Sequence, residues 1–177
     1  PAIHAELADY DYRLYEVVPE KLGEFLKDGE FDGLNVTIPY KKAVIPYCAA
    51  LSPIAQKLQS VNVLVRRTDG TLYGDNADAY GFAGMVKASG ISVEGKKALV
   101  LGSGGASATV CAVLDELRAR SVTVISRSGE DNYGNLERHA DAEIIVNTTP
   151  VGMYPSCGVS PVDLRQFPRL EGVLDIV

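Results

Sequence analysis

Apolar positions in this chain fall into two rhythms. Short runs that are apolar at every position or at alternate ones read as strands, and runs with apolar residues three and four apart read as helices. From the N-terminus, Pro1 to Asp9 is compatible with a short helix, and Arg13 to Val18 alternates like a strand. Pro19 suits a first helical position, and the amphipathic run behind it stops at Gly29. Gly33 to Ile38 reads as a strand ended by Pro39, Lys41 to Ala50 as a helix, and Ser52-Pro53 as the cap of another helix running to about Ser60. Val61 to Arg67 and Thr71 to Gly74 are strands joined by a hairpin turn at Thr68-Asp69-Gly70. This part predicts an α/β unit with a mixed sheet.

Asp78 to Ser89 reads as a helix closed by Gly90, bridging to a second unit. There Ala98 to Leu101 is apolar at every position, as a strand covered on both faces would be. A glycine-rich stretch follows, then a helix with Val110, Val113, Leu114 and Leu117 on one face, then a second buried strand, Val122 to Ile125. Asn132 to Ala140 is at most a short helix. Glu143 to Thr149 and Gly172 to Val177 are further strands, and Pro155 to Pro161 is loop.

The glycine-rich stretch brings in chemistry. Gly102, Ser103, Gly104, Gly105 and Ala106 sit between a strand and a helix, where glycines permit a tight turn and let backbone N–H groups approach a diphosphate. The helix dipole favours an anion there. Ser107 occupies the place of a third small residue, so that the helix packs closely on the sheet. The β-α-β context makes this a dinucleotide site. An NAD-type site carries an acid at the end of the second strand. Here Ser126, Arg127 and Ser128 stand there, which suits the 2′-phosphate of NADP(H). Glu130 and Asp131 follow closely and would repel that phosphate if they turned inward.

Composition narrows the class. The 177 residues allow one or two small domains, and 46% hydrophobic content supports a packed core. A net charge of -6, with no basic patch longer than Arg66-Arg67 or Lys96-Lys97, argues against nucleic acid as a partner. No apolar run approaches membrane-spanning length. Cys48, Cys111 and Cys157 are too scattered for a disulfide framework or a zinc site and suit a reducing cytoplasm. His4 and His139 have no ligand partners at metal spacing and read as structural or surface groups. No metal is expected.

Three polar clusters lie at strand ends or turns of the first unit: Asn35, Thr37 and Lys41; Asn62; and Asp75, Asn76 and Asp78. Spacing alone leaves their roles open. Lys41 and Lys42 could be solvated helix residues, Asp78 an N-cap, and Asn35 and Asn62 ordinary turn residues.

NVTIPYKK, SVNVL, GDNADAYGF, LGSGGAS, SRS, NTTPVGM and VLDIV occur in the order found in shikimate dehydrogenases, and together the chain resembles that family from near Pro1 to Val177. The resemblance implies a substrate-binding and catalytic domain at 1–78 and a Rossmann-type, doubly wound NADP-binding domain at 79–177, with 3-dehydroshikimate or shikimate held between them. It implies that Lys41 and Asp78 form the catalytic pair and that Thr37 and Asn62 bind substrate hydroxyls. A relative acting on quinate or another cyclic hydroxy acid, and a non-catalytic nucleotide-binding relative, are the alternatives. A cytoplasmic enzyme is expected, and a homodimer is compatible with the reading. The chemistry suits the residue types: hydride exchange at a ring carbon requires a proton at the attached oxygen, and a lysine that yields its proton readily, or a Lys–Asp couple sharing it, can supply one. The sequence departs from the family at Gln59-Ser60-Val61-Asn62-Val63 and Gly74-Asp75-Asn76-Ala77-Asp78, each losing one hydroxyl. The family's basic position past the nucleotide arginine falls near Asp131, which bears on the choice of NADP over NAD. Family members also carry an N-terminal strand with a Ser-x-Ser-Pro loop and a C-terminal helix with a substrate-binding Gln, so the sequence reads as a fragment or an incomplete record, with part of its pocket missing.

Overall fold

A computed structural model describes residues 2–7 and 9–176. Pro1, Ala8 and Val177 lie outside the described residues; the first two belong to the first predicted helix piece and the third ends the last predicted strand. The chain forms two four-stranded sheets, each with its own core.

The first sheet is mixed. After helix α1 (Ala2–Leu7), Pro19 opens a 3-10 turn that runs into α2 (Leu22–Asp28). Strand β1 (Gly33–Asn35) pairs antiparallel with β3 (Val63–Arg66), and β3 pairs antiparallel with β4 (Leu72–Asp75). The fourth strand, β2 (Cys48–Leu51), lies parallel to β4. Helix α3 (Pro53–Leu58) follows, with Ser52 Oγ accepting from the Ala55 N–H as its N-cap.

Two expectations fail here. Lys41 to Ala50 is not a helix: it is a turn, a 3-10 turn at Ile45–Tyr47, and then β2. Pro46 supplies no N–H to a helix ladder. Beyond it, pairing and burial override the helix propensity of two alanines. Gly74 carries no side chain, and Cys48, Leu51 and Val61 fill the space that one would occupy. Arg13 to Val18 is not a strand either. Its alternation buries nothing, and Leu14 is 74% exposed. Side chains hold it instead: Tyr15 packs against Phe25 of α2, and the Tyr40 hydroxyl donates to the Val17 carbonyl. The predicted strands from Gly33, Val61 and Glu143 are real, but each is shorter than expected.

Helix α4 (Ala77–Ser89) crosses to the second sheet and ends at Gly90, whose φ of 72° is the left-handed value a helix stop favours. That sheet is wholly parallel, in the order β6 (Ser121–Ile125), β5 (Lys97–Leu101), β7 (Ile144–Asn147), β8 (Gly172–Asp175). Alternation sorts its side chains by face. Ala98, Val100, Ile144 and Val146 meet α4 and α5 (Gly105–Glu116), whereas Leu99, Leu101 and Ile145 meet Leu136, Val162 and Phe167. The second face is covered by short 3-10 turns at Leu136–His139 and Leu164–Gln166, consistent with the compact stretch expected near Asn132 to Ala140. This is the Rossmann-type half of an α/β fold. Among the described residues no helix is long and apolar enough to cross a membrane.

The amino ends of all four parallel strands are tied through Glu143. Its carboxylate accepts from the Lys97 N–H at 3.0 Å, Lys96 Nζ at 3.2 Å and Arg120 Nη2 at 3.0 Å, and its backbone oxygen accepts from the Glu171 N–H. The Lys97 N–H first, then the Lys96 ammonium, hold the Glu143 carboxyl below its ordinary range. A carboxyl depressed in the folded state contributes stability above its unfolded pKa and loses it as pH falls through the folded value. Glu143→Gln is therefore expected to lower Tm at neutral pH. The gap from the parent chain should close as pH falls through and below the ordinary carboxylate range near ~4. Thermal melts of both proteins across that range check it; a gap that does not change with pH would contradict it.

Candidate active site

The amino end of β3 and the carboxyl ends of β1 and β4 bring the polar clusters together through one short segment. Asn62 makes three bonds to three different stretches. Its N–H donates to the Asp75 carbonyl at 3.0 Å, its carbonyl accepts from the Val36 N–H at 2.8 Å, and its side-chain Oδ1 accepts from the Ala77 N–H at 2.7 Å. Beside it, the Val61 N–H donates to the Lys41 carbonyl at 2.8 Å. The backbone that carries Lys41 and the first turn of α4 are thus anchored to adjacent residues. Asn76 is buried and caps α4, its Oδ1 accepting from the Ala79 N–H while its Nδ2 donates to the Ser60 carbonyl. Asp75 accepts from Ser52 Oγ and from the Asn76 N–H.

Asp78 is consequently not the cap. It stands in the first turn of α4, free to face Lys41, and the Lys41 Nζ lies 2.8 Å from its Oδ2. The pair is partly open to solvent, with side-chain exposures of 31% and 52%. Lys42 is exposed and has no such partner among the described residues. Thr37 is exposed on the turn before Lys41, and its carbonyl accepts from the Tyr40 N–H. Its hydroxyl makes no bond among the described residues.

The glycine loop lies at the carboxyl edge of the second sheet, where the chain leaves β5 for β6 on one side and returns for β7 on the other. Ligands bind at such switch points in open parallel sheets. Gly102 has a φ of 100°, and a Cβ there would meet Thr148 Oγ1 at 2.9 Å and Thr149 Cγ2 at 3.0 Å. Both its conformation and its neighbours demand glycine. Ser103, Gly104, Gly105 and Ala106 are exposed; Cβ atoms on Gly104 and Gly105 would meet nothing within 4 Å. No side chain caps α5 at Gly104, so its leading N–H groups remain available to an anion. Ser107 is buried, as close helix–sheet packing requires. At the end of β6, Ser126 is half-buried and Arg127 and Ser128 are exposed. Asp131 does not lie loose beside them: its Oδ1 is 2.7 Å from His139 Nε2.

A cleft of about 480 Å³ runs between α4 and α5 and is lined by one residue of each set, Asp78 and Ala106. Asp78, Phe82 and Met85 of α4 form one wall, Ala106, Thr109 and Val110 of α5 the other, with Ile176 behind β8 at the edge. A second hollow of about 400 Å³, between Glu16–Val18 and α2, is lined by none of the candidate groups. Sequence reasoning misses Asn147 as a site residue, yet it organises the floor under Gly102. Its Nδ2 donates to the Val151 carbonyl and to Asp175, and its Oδ1 accepts from the N–H and hydroxyl of Thr149. The one available signal is a polar residue ending an apolar strand.

Comparison with known proteins bears on the whole chain. Residues 1–64 match the family model for the shikimate dehydrogenase substrate binding domain. The shikimate dehydrogenase (NADP(+)) of Clostridium beijerinckii is 33% identical over 94% of this chain and 66% of its own length. A chorismate mutase/shikimate 5-dehydrogenase fusion protein from Clostridium acetobutylicum superposes with a TM-score of 0.86 at 32% identity, over 99% of this chain and 69% of that one. The shikimate 5-dehydrogenase of Thermus thermophilus, solved with NADP(H) and shikimate, gives 0.72 at 34% identity, over 90% and 63%. The chain thus spans about two thirds of the length of these relatives.

Removing the Asn62 amide should loosen the start of α4. Asn62→Ala is expected to cost about 1 kcal/mol, the usual net worth of one hydrogen bond, and so to lower Tm by about 2–4 °C in a chain of this size. Differential scanning calorimetry checks it; an unchanged Tm would mean that the Ala77 N–H does not depend on this side chain.

Proposed function

This chain belongs to the shikimate dehydrogenase family, and from that premise we propose that the protein carrying it catalyses the reversible NADPH-dependent reduction of 3-dehydroshikimate to shikimate, a step towards chorismate and the aromatic amino acids. The observation that carries the proposal is the Lys41–Asp78 pair at 2.8 Å, with Asp78 on a wall of the same cleft that receives Ala106 from the glycine loop.

Residues 1–78 serve as the substrate-binding and catalytic domain and 79–177 as the NADP-binding domain. Gly102, Ser103, Gly104, Gly105 and Ala106 would hold the diphosphate, where the uncapped helix start and the open faces of Gly104 and Gly105 suit a close-lying anion. Ser126, Arg127 and Ser128 would hold the 2′-phosphate. When bound, NADP(H) supplies the hydride exchanged with the ring carbon. Lys41 and Asp78 serve the oxygen on that carbon. In reduction the couple delivers a proton to the oxygen as it gains charge, and in oxidation it removes one. Because each partner steadies the other's charge, the proton in transit belongs to the couple. Thr37, exposed on the turn that precedes Lys41, and the Asn62 amide bind hydroxyls of the ring. The three free cysteines suit a cytoplasmic enzyme.

NADPH oxidation on addition of 3-dehydroshikimate, followed by the loss of nicotinamide absorbance, tests the reading. Lys41→Ala and Asp78→Asn are each expected to lower kcat about a hundredfold or more, the scale of a positioned acid–base group. NADPH binding should survive in both, and Lys42→Ala should be nearly silent. Absence of NADPH oxidation by the unaltered enzyme, or a Lys42 effect as large as that of Lys41, would overturn it.

A further inference from the structure

Asp131 follows Ser126–Ser128 closely in sequence and closer still in space. The Ser126 N–H donates to the Asp131 carbonyl at 3.1 Å, and a Cβ on Gly129 would meet Ser126 Oγ at 2.6 Å and the Asp131 carbonyl oxygen at 3.2 Å. These contacts are made by the Asp131 backbone; its carboxylate, turned toward the loop, would oppose a dianion and suit a ribose hydroxyl instead. Yet its Oδ1 is bonded to His139, a side chain only 12% exposed in the 3-10 turn Leu136–His139. A carboxylate only accepts, so His139 Nε2–H is the donor. His139 Nδ1 is buried with no partner among the described residues, so the bond to Asp131 is the ring's one hydrogen bond among them.

We propose that His139 is a positioning residue for cofactor choice: by holding the Asp131 carboxylate, it keeps the loop Ser126–Ser128 acceptable to a 2′-phosphate. The inference rests on the reading of that loop as the 2′-phosphate site. The loop's backbone has its own supports, since Asn132 Nδ2 donates to the Gly129 and Glu130 carbonyls, and Asn135 Nδ2 donates to the Glu130 carbonyl. Loss of His139 therefore frees one side chain and leaves the turn that carries it.

The test is equilibrium binding of NADPH and of NADH, read by nicotinamide fluorescence. His139→Leu keeps bulk and removes the donor. It should weaken NADPH binding about tenfold, the scale of one partly screened like-charge contact, and leave NADH within about twofold. Adding Asp131→Asn to His139→Leu should restore NADPH binding, and His139→Gln, which keeps an N–H donor, should retain most of it. Equal loss for both cofactors, or no restoration by Asp131→Asn, overturns the inference. Asp131→Asn alone tests it without disturbing the buried ring. Little change in NADPH binding is expected; a tenfold gain would mean that the carboxylate already repels the phosphate, and would overturn it. Arg127→Ala separates the two readings. If it fails to weaken NADPH more than NADH, the loop itself is misassigned; if it does so while His139→Leu shows no selectivity, only the role of His139 falls.

Discussion

The three bonds of Asn62 are the constraint on which the site depends. Two are backbone bonds and one is a side-chain bond, and they fasten Val36, Asp75 and Ala77 to a single residue. With Val61 holding the Lys41 carbonyl, they fix the stretch that carries the lysine and the helix that carries the aspartate relative to each other. A loop of this kind carries backbone groups that must be satisfied somewhere. Here their satisfaction also sets the distance between two charged side chains. An exposed ion pair gains little by itself, so the Lys41–Asp78 contact is better read as a result of the backbone arrangement than as its cause.

The second half of the cleft follows from a different constraint, the absence of a side chain at Gly102. The threonines after β7 occupy the space a Cβ would need, and a positive φ turns the chain sharply from strand to helix. The start of α5 is thereby presented at the carboxyl edge of the sheet without a cap. The two halves meet because α4 leaves the Asn62 cluster and packs on α5, sharing the core under the parallel sheet.

Much of this was legible in the sequence where a local rule and the fold agree. The strand Ala98–Leu101, the glycines behind it and the buried face of α5 state their own context, and so do the hairpin at Asp69-Gly70 and the stop at Gly90. The failures lie where a non-local partner decides. The Cys48–Leu51 strand exists because Gly74 leaves room beside it, which nothing between Lys41 and Ala50 announces. Arg13 to Val18 has the alternation of a strand, but its contacts are made by the side chains of Phe25 and Tyr40 rather than by strand pairing. The residue types at Lys41 and Asp78 were visible, but their approach across 37 positions depends on bonds made by residues between them. The pairing of Asp131 with His139 was hidden for the same reason: Asp131 reads as a charge beside the nucleotide loop and His139 as a structural or surface group, and nothing in the sequence joins them.

The central claim is that Lys41 and Asp78 act as one proton-carrying unit at the cleft. A double-mutant cycle on kcat, with Lys41→Ala, Asp78→Asn and the two combined, tests it most directly. Members of a unit are not additive, so the account predicts a double variant little worse than the worse single one. Two losses that simply multiply would show independent groups and contradict it.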